Sequence, residues 1–209
     1  MAKVMVTPDP FVLVNYDSGA LAALVEKVAG RVGLPDDVEI AIEVDEALPR
    51  PLIASYVDVT DADAGGGRVS LWCSGGNFEH PQYPRRFDDA GAEVKLAVDL
   101  LRAADRLTPG FADAPADSEL SERQREAWDT TAAGRVSRLG FSVREPLVRY
   151  HFRLSNGFGD AVDAVYERLW SVDDLAWADL EAACAETGAS DQRPTPKVRP
   201  GTVGASLRR

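Results

Sequence analysis

The sequence predicts an α+β fold, with a small mixed sheet and two helices in the N-terminal half and mainly helices in the C-terminal half. Two observations lead to this prediction. Segments in which apolar and polar residues alternate, as in half-buried strands, lie mainly before residue 75. Apolar residues at helical spacing dominate after residue 119. The chain has 209 residues, 45% hydrophobic and 27% charged, which is the composition of an ordinary globular protein.

The first 107 residues are expected to form strand, helix, three strands and helix, in that order. Asp17 or Ser18 can cap the first helix, which Gly33 and the following Leu-Pro should end. Residues 38–45 alternate so regularly that they indicate a strand with an acidic outer face. The remaining expected strands and the second helix are MAKVMVTPDPFVLV at the N-terminus, LIASYVDVT at 52–60, RVSLWCS at 68–74 and the amphipathic segment 88–107.

Residues 108–118, TPGFADAPADS, are rich in proline, alanine and aspartate and predict a linker. The expected organisation is therefore an α/β half at 1–107, the linker at 108–118, a helical half at 119–188 and a basic tail at 189–209. The tail carries five basic residues against one aspartate and lacks apolar periodicity, so it should not form a core of its own.

Capping motifs support helices in the second half. Ser121 with Gln124 is a capping box, and Gly140 suits the residue that ends the helix it starts. Ser142 with Glu145 predicts a second capping box and a helix through residue 154. Residues 148–154 also alternate as a strand would, and this alternative stays open. Two further helices are expected after the break at 156–159.

Composition excludes some classes of protein. No apolar run reaches the roughly 18 residues that a membrane span needs, and the first residues lack the pattern of a signal peptide. Cys73 and Cys184 lie far apart and form no metal-binding pair, so a soluble cytoplasmic protein with reduced thiols is expected. The net charge of −11 disfavours non-specific contact with nucleic acid or anionic membranes.

The stretch WCSGGNFEHPQYPRRFDD, residues 72–89, holds the candidates for catalysis. Glu79 could act as a base and His80 as an acid or a ligand, with Asp88 or Asp89 assisting, which would make the protein a hydrolase. One cysteine, one histidine and a few acids are too few for a zinc site with recognisable spacing. We expect no bound metal and no cofactor, and a structural turn before a helix is the main alternative.

The element order of the first half resembles that of small zinc peptidases of the zincin type. In those enzymes the long helix carries HExxH. Here the corresponding helix reads AEVKLAVDLLRAADRL and contains no histidine. The resemblance therefore implies a hydrolase fold that has lost its metal site.

Residues 121–154 suggest a second kind of function. A helix, a turn through Gly140 and a second helix resemble a helix-turn-helix, and the second helix resembles the DNA-reading segment of TetR-type repressors. The resemblance implies that Arg144, Arg149 and Arg153 contact nucleic acid. The segment departs from that pattern by two extra residues after the turn, by Pro146 and by its internal position.

The leading prediction is a non-catalytic protein that binds a macromolecular partner, most plausibly another protein. Residues 36–66 carry nine acidic side chains against Arg50 alone, and Glu39, Glu43 and Asp45 should form an acidic strand face that selects a basic partner. The basic tail could bind an acidic surface of the same or a second copy, so the sequence leaves self-association open.

Overall fold

The computed structural model describes residues 3–60 and 67–188 and confirms the α+β class, with a four-stranded mixed sheet followed by helices. The basic tail predicted at 189–209 lies outside the described residues. The strands of the main sheet are β1 (Lys3–Thr7), β2 (Glu39–Asp45), β3 (Ser55–Thr60) and β4 (Arg68–Ser74). The helices are α1 (Ser18–Val32), α2 (Asp89–Arg106), α3 (Glu122–Arg138), α4 (Glu145–Asn156), α5 (Asp160–Ser171) and α6 (Trp177–Glu186).

The strand order is β1-β2-β4-β3. β1, β2 and β4 are parallel, and β3 is an antiparallel edge strand. A parallel pair needs a crossover connection, which α1 supplies between β1 and β2. A short hairpin that the sequence did not predict, β5 (Glu79–His80) with β6 (Tyr83–Phe87), lies between β4 and α2.

The predicted caps are mostly found. The Asp17 carboxylate accepts the Ala20 N–H at 2.6 Å, and Ser121 and Gln124 form the expected capping box. The second predicted capping box is wrong: α4 begins at Glu145, its N-cap is Arg144, and no side chain caps it. Pro146 explains the difference, because proline suits the first turn of a helix, where a backbone N–H has no partner within the helix. The segment is a helix rather than the alternative strand.

Two predicted strands are shorter than expected. β1 ends at Thr7, and β3 begins at Ser55 rather than at residue 52. Residues 49–53 form turns instead, in which the Leu52 N–H donates to the Pro49 carbonyl at 3.0 Å. The apolar residues that the longer strands would have placed in the sheet lie in loops at its edge.

Helices cover one face of the main sheet. Ile40, Ile42 and Leu71 point to that face and are 1–2% exposed, and α1 and α2 pack on it. This face holds the larger of two hydrophobic cores. Burying each such side chain contributes about 1.5–3 kcal/mol to stability. The opposite, open face carries the other residues of the alternating strands, of which Met5, Glu39 and Glu43 are exposed, whereas Trp72 is buried and Arg125 of α3 lies over the ring of Tyr56.

A second core lies among the helices of the C-terminal half. Trp128, Tyr166 and Leu180 are fully buried there, and Phe111 stacks on Trp128. Helix α3 contributes residues to both cores. The division into domains at 108–118 remains a prediction, although part of that segment is buried. None of the described helices is long and apolar enough to cross a membrane.

A buried cluster of charged residues joins α2, α3, β3 and the segment 108–118. Asp117 is fully buried, forms ion pairs with Arg102, Arg106 and Arg125, and accepts the Val57 N–H of the edge strand at 3.1 Å. Burial acts to raise the pKa of Asp117, but the three guanidinium groups and this N–H hold it below its ordinary value. The carboxylate thereby supplies a hydrogen-bond acceptor for the Val57 N–H on the free edge of the sheet.

Candidate functional site

The acidic residues predicted as a binding face lie on the open face of the sheet. Glu39 and Glu43 are exposed on β2, and Asp45 is half-buried at its end. Strand register places Glu39 between Lys3 and Arg68, and the Lys3 ammonium lies 2.9 Å from the Glu39 carboxylate. This ion pair holds the pKa of Glu39 below its ordinary value. Asp45 accepts the Ala47 N–H at 3.0 Å and therefore stabilises the turn after β2.

The next rows of the open face become less charged towards the ends of the parallel strands. The middle row contains Met5, Ala41 and Ser70, and Met5 is 55% exposed. In the third row Glu43 lies beside Trp72, whose ring is 5.5 Å from that of Tyr56. The open face thus combines acidic and apolar side chains.

Three loops meet where the parallel strands end, which is the edge at which α/β sheets usually bind ligands. The first loop follows β1, and its Val12 and Leu13 N–H groups both donate to the Glu46 carboxylate, at 2.8 and 2.5 Å. Glu46 belongs to the second loop, which follows β2. The third loop follows β4, and the Gly76 N–H in it donates to the Leu48 carbonyl at 2.9 Å.

Glu79 fixes the second and third loops to each other. It is 5% exposed, and its carboxylate accepts the N–H groups of Arg50 at 2.9 Å and Arg85 at 2.6 Å. Burial acts to raise the pKa of Glu79, but these two donors and the nearby guanidinium charges outweigh burial and hold the pKa below its ordinary value. Glu79 is therefore an ionised structural carboxylate whose acceptor sites are used by the backbone.

Arg85 and Gly76 complete this connection. Arg85 has a φ of 62°, which aims its N–H at Glu79, while its guanidinium donates to the Glu46 carbonyl at 2.9 Å. A Cβ at Gly76 would lie 2.7 Å from the Arg50 nitrogen, so only glycine permits the approach of the two loops. A continuous network of hydrogen bonds therefore links Leu13, Glu46, Arg85, Glu79 and Arg50.

Large apolar side chains project from these loops into solvent. The exposed fractions are 79% for Val12, 55% for Leu13, 55% for Leu52, 50% for Ile53 and 52% for Tyr83. We call these five residues the loop-end surface. Isolated exposed apolar residues are ordinary, but several on loops joined by one network are typical of an interaction site.

The predicted catalytic residues do not form a common site. His80 accepts the Gln82 N–H at its Nδ1 at 3.1 Å, and its ring packs 4.7 Å from Tyr83. Asp88 is the N-cap of α2 without a side-chain capping bond, and Asp89 is exposed in the first turn. No hydrogen bond or ion pair joins these side chains or Glu79 to one another in the described chain. No group of three or more histidine, cysteine or acidic residues that could hold a metal ion is found in residues 3–60 and 67–188.

The three arginines predicted to contact nucleic acid differ in their surroundings. Arg144 is exposed. Arg149 donates to Glu145 at 2.9 Å and to Glu167 at 2.5 Å, and Arg153 forms a two-bond ion pair with Asp163 at 2.7 and 2.6 Å. Two of the three charges are thus neutralised within the protein.

The sequence pattern did not predict the loop-end surface, nor that Glu79 accepts hydrogen bonds from two backbone N–H groups. Leu52 and Ile53 read as the start of a strand, although the prolines at 49 and 51 are turn signals that could have excluded it. Nothing local identifies Glu79 as a clamp, because its partners are backbone groups at residues 50 and 85.

Comparison of the chain with protein-family models, with curated proteins and with solved structures finds no match.

Proposed function

We propose that this protein acts by binding another protein, through the loop-end surface and the adjoining acidic part of the open sheet face. The partner would present apolar side chains flanked by lysine or arginine. The apolar side chains would pack against Leu13, Ile53 and their neighbours, and the basic groups would lie near Glu43.

The observation that carries this proposal is that the loops with exposed apolar side chains are held by hydrogen bonds from their backbone to two carboxylates, half-buried Glu46 and buried Glu79. A loop that is ordered before binding loses less conformational entropy when a partner docks, so more of the interaction energy appears as affinity. Glu46 and Glu79 supply this order, because each accepts two backbone N–H groups from the loops.

Binding is favoured over catalysis because the reactive side chains near this edge are already used. Glu79 accepts backbone hydrogen bonds, and Cys73 is 1% exposed in the core, where burial raises the pKa of its thiol. The Tyr16 hydroxyl donates to the Gly75 carbonyl at 2.8 Å, and burial raises its pKa.

The test is affinity capture from a lysate of the source organism, with retained proteins identified by mass spectrometry. We expect the double variant Leu13→Asp/Ile53→Asp to lose partners that the wild-type chain retains. Glu43→Lys should weaken the same interactions more at low salt than at high salt, because the attraction between exposed charges is screened. The affinity of each identified partner, purified, is then measured by calorimetry.

Two matched controls define the result. Leu139→Asp changes an exposed leucine directly after α3, and Glu181→Lys changes an exposed acid on α6, so both should bind as the wild type does. If the double variant and the controls retain the same proteins with the same affinities, the loop-end surface is not the binding site.

A further inference from the structure

Helix α4 carries a second apolar surface, far along the chain from the loop-end surface. Leu147, Tyr150 and Leu154 follow one another at intervals of three and four residues, which places them along one side of the helix. Phe158 lies in the turn that follows Gly157, just after the helix ends. The exposed fractions of these four residues are 43%, 52%, 57% and 68%. The opposite side of α4 is buried through Phe152, which packs against Tyr166 of α5. We call the four exposed residues the α4 stripe.

The charges beside the α4 stripe are satisfied within the molecule. The ion pairs of Arg149 and Arg153 with α4 and α5 side chains raise the pKa values of both arginines, so these charges are not left for a partner. What the stripe offers is therefore apolar area rather than a basic surface.

Two charged side chains that form no ion pair with another described residue lie near the two ends of the stripe. Arg144, a cation, precedes Leu147, and Asp160, an anion, follows Phe158; both are exposed. The pattern is self-complementary when two stripes are paired in opposite directions. The N-terminal end of one α4, with Arg144, then lies beside the C-terminal end of the other, with Phe158 and Asp160.

We propose that two copies of this chain associate through their α4 stripes, antiparallel and about a twofold axis that passes between Tyr150 and Leu154 on the exposed side of the helix. Twofold contacts are the commonest in homo-oligomers and require this kind of self-complementary surface. Four partly exposed apolar side chains per copy form a small contact, so the dimer is expected to be reversible. The proposal does not depend on the function of the loop-end surface.

Analytical ultracentrifugation of the full chain, from about 1 to 200 µM, tests the proposal because this range spans the dissociation constants of weak dimers. The wild type should shift from monomer to dimer with concentration. Leu154→Asp should raise the dissociation constant at least about tenfold, the effect of about 1.4 kcal/mol. Leu139→Asp, which changes an exposed leucine outside the stripe, should leave it unchanged. Circular dichroism checks that each variant is folded.

A charge exchange tests the antiparallel arrangement. Arg144→Glu and Asp160→Lys should each weaken the dimer at low salt, because each places like charges together. The double variant Arg144→Glu/Asp160→Lys restores opposite charges and should recover the wild-type dissociation constant within about twofold, as expected for a directly coupled pair.

Several outcomes would overturn the proposal. A wild-type chain that stays monomeric over the whole range has no such contact, and the stripe would then be covered by another partner or by residues 189–209. A dimer that Leu154→Asp does not weaken uses another surface. Failure of the double charge variant to recover would reject the antiparallel pairing.

Discussion

Asp117 and Glu79 are both buried carboxylates, but the groups that neutralise them differ. Asp117 lies between α2, α3 and the edge strand and is surrounded by three arginines. Glu79 lies at the end of the sheet, and backbone N–H groups from two loops occupy its carboxylate. The first carboxylate binds side chains across the interior, whereas the second shapes the loops that carry an exposed apolar surface.

The groups that surround a buried carboxylate decide whether it acts mainly on the stability of the fold or on the shape of a surface. Removing a carboxylate among arginines leaves buried cations without a counter-charge, which affects the whole fold. Removing a carboxylate that orders loops leaves neutral N–H groups that water can partly reach, which affects mainly the surface that the loops present. The two residues should therefore respond differently to the same substitution.

Asp117→Asn should have the largest effect. Breaking a buried ion pair by removing one partner costs about 3–5 kcal/mol. Here Arg106 and Arg125 lose their ion pair with Asp117, and Arg102 keeps only its pair with Asp129, at 3.0 Å. Chemical unfolding at neutral pH measures the loss. The wild-type contribution is present above the unfolded pKa and is lost as the pH falls through the lowered folded pKa, so the two proteins should converge in acid.

Asp113→Asn is the matched control, because Asp113 is exposed in the same segment. Its effect should be within about 0.5 kcal/mol, as for surface substitutions in general. An equal loss of stability in both variants would show that the ion pairs of Asp117 do not stabilise the fold.

Glu79→Gln should have an intermediate effect on stability and a large effect on binding. The amide has one oxygen for two N–H donors, and its NH₂ group would face the other donor, which costs about 1–3 kcal/mol. The loops at residues 46–53 and 81–87 should become more sensitive to proteolysis, and the partners captured by the wild type should be lost. Because the folded pKa of Glu79 is lowered, this difference in stability should also disappear in acid.

Asp89→Asn is the control for this variant, since Asp89 is an exposed residue of the same segment. It should leave both proteolysis and capture unchanged. A Glu79→Gln protein that unfolds as easily as Asp117→Asn but keeps its partners would reverse the assignment of the two carboxylates.

The sequence predicted the elements better than their contacts. Alternation identified β2, and capping residues located α1 and α3, because these signals depend on neighbours in the chain. Helix α2 was expected to be amphipathic, yet Asp99, Arg102 and Asp105 on it are buried. Their burial depends on partners in β3, the 108–118 segment and α3, which no local pattern reveals.

Exposed apolar residues were missed for the same reason. Periodicity assigns apolar residues to a core and has no means of recognising those that remain in solvent. Leu52 and Leu154 both fitted an element that would bury them, but the first lies in a turn and the second on the outer side of α4. The acidic residues of β2 were correctly placed on an outer face because polar residues in a strand are outside by default.

Glu126 extends the comparison to a half-buried carboxyl to which, among the described residues, no arginine and no backbone N–H donates a hydrogen bond. Burial raises its pKa to about 8, and the carboxylates of Asp129 and Glu122 add to the shift against Arg125 and Lys95. Between the ordinary value of 4.5 and about 8, the folded state therefore holds a proton that the unfolded state has released. Stability must fall as the pH rises through this window, so Glu126→Gln should be more stable than the wild type at pH 8 and equal to it below pH 4.5. Urea unfolding at several pH values measures the difference, with the exposed Glu119→Gln as the control that should show no such trend. A variant that is less stable than the wild type at pH 8 would mean that the Glu126 carboxylate is ionised and stabilising, like Asp117, and that burial alone does not separate the three carboxyl groups.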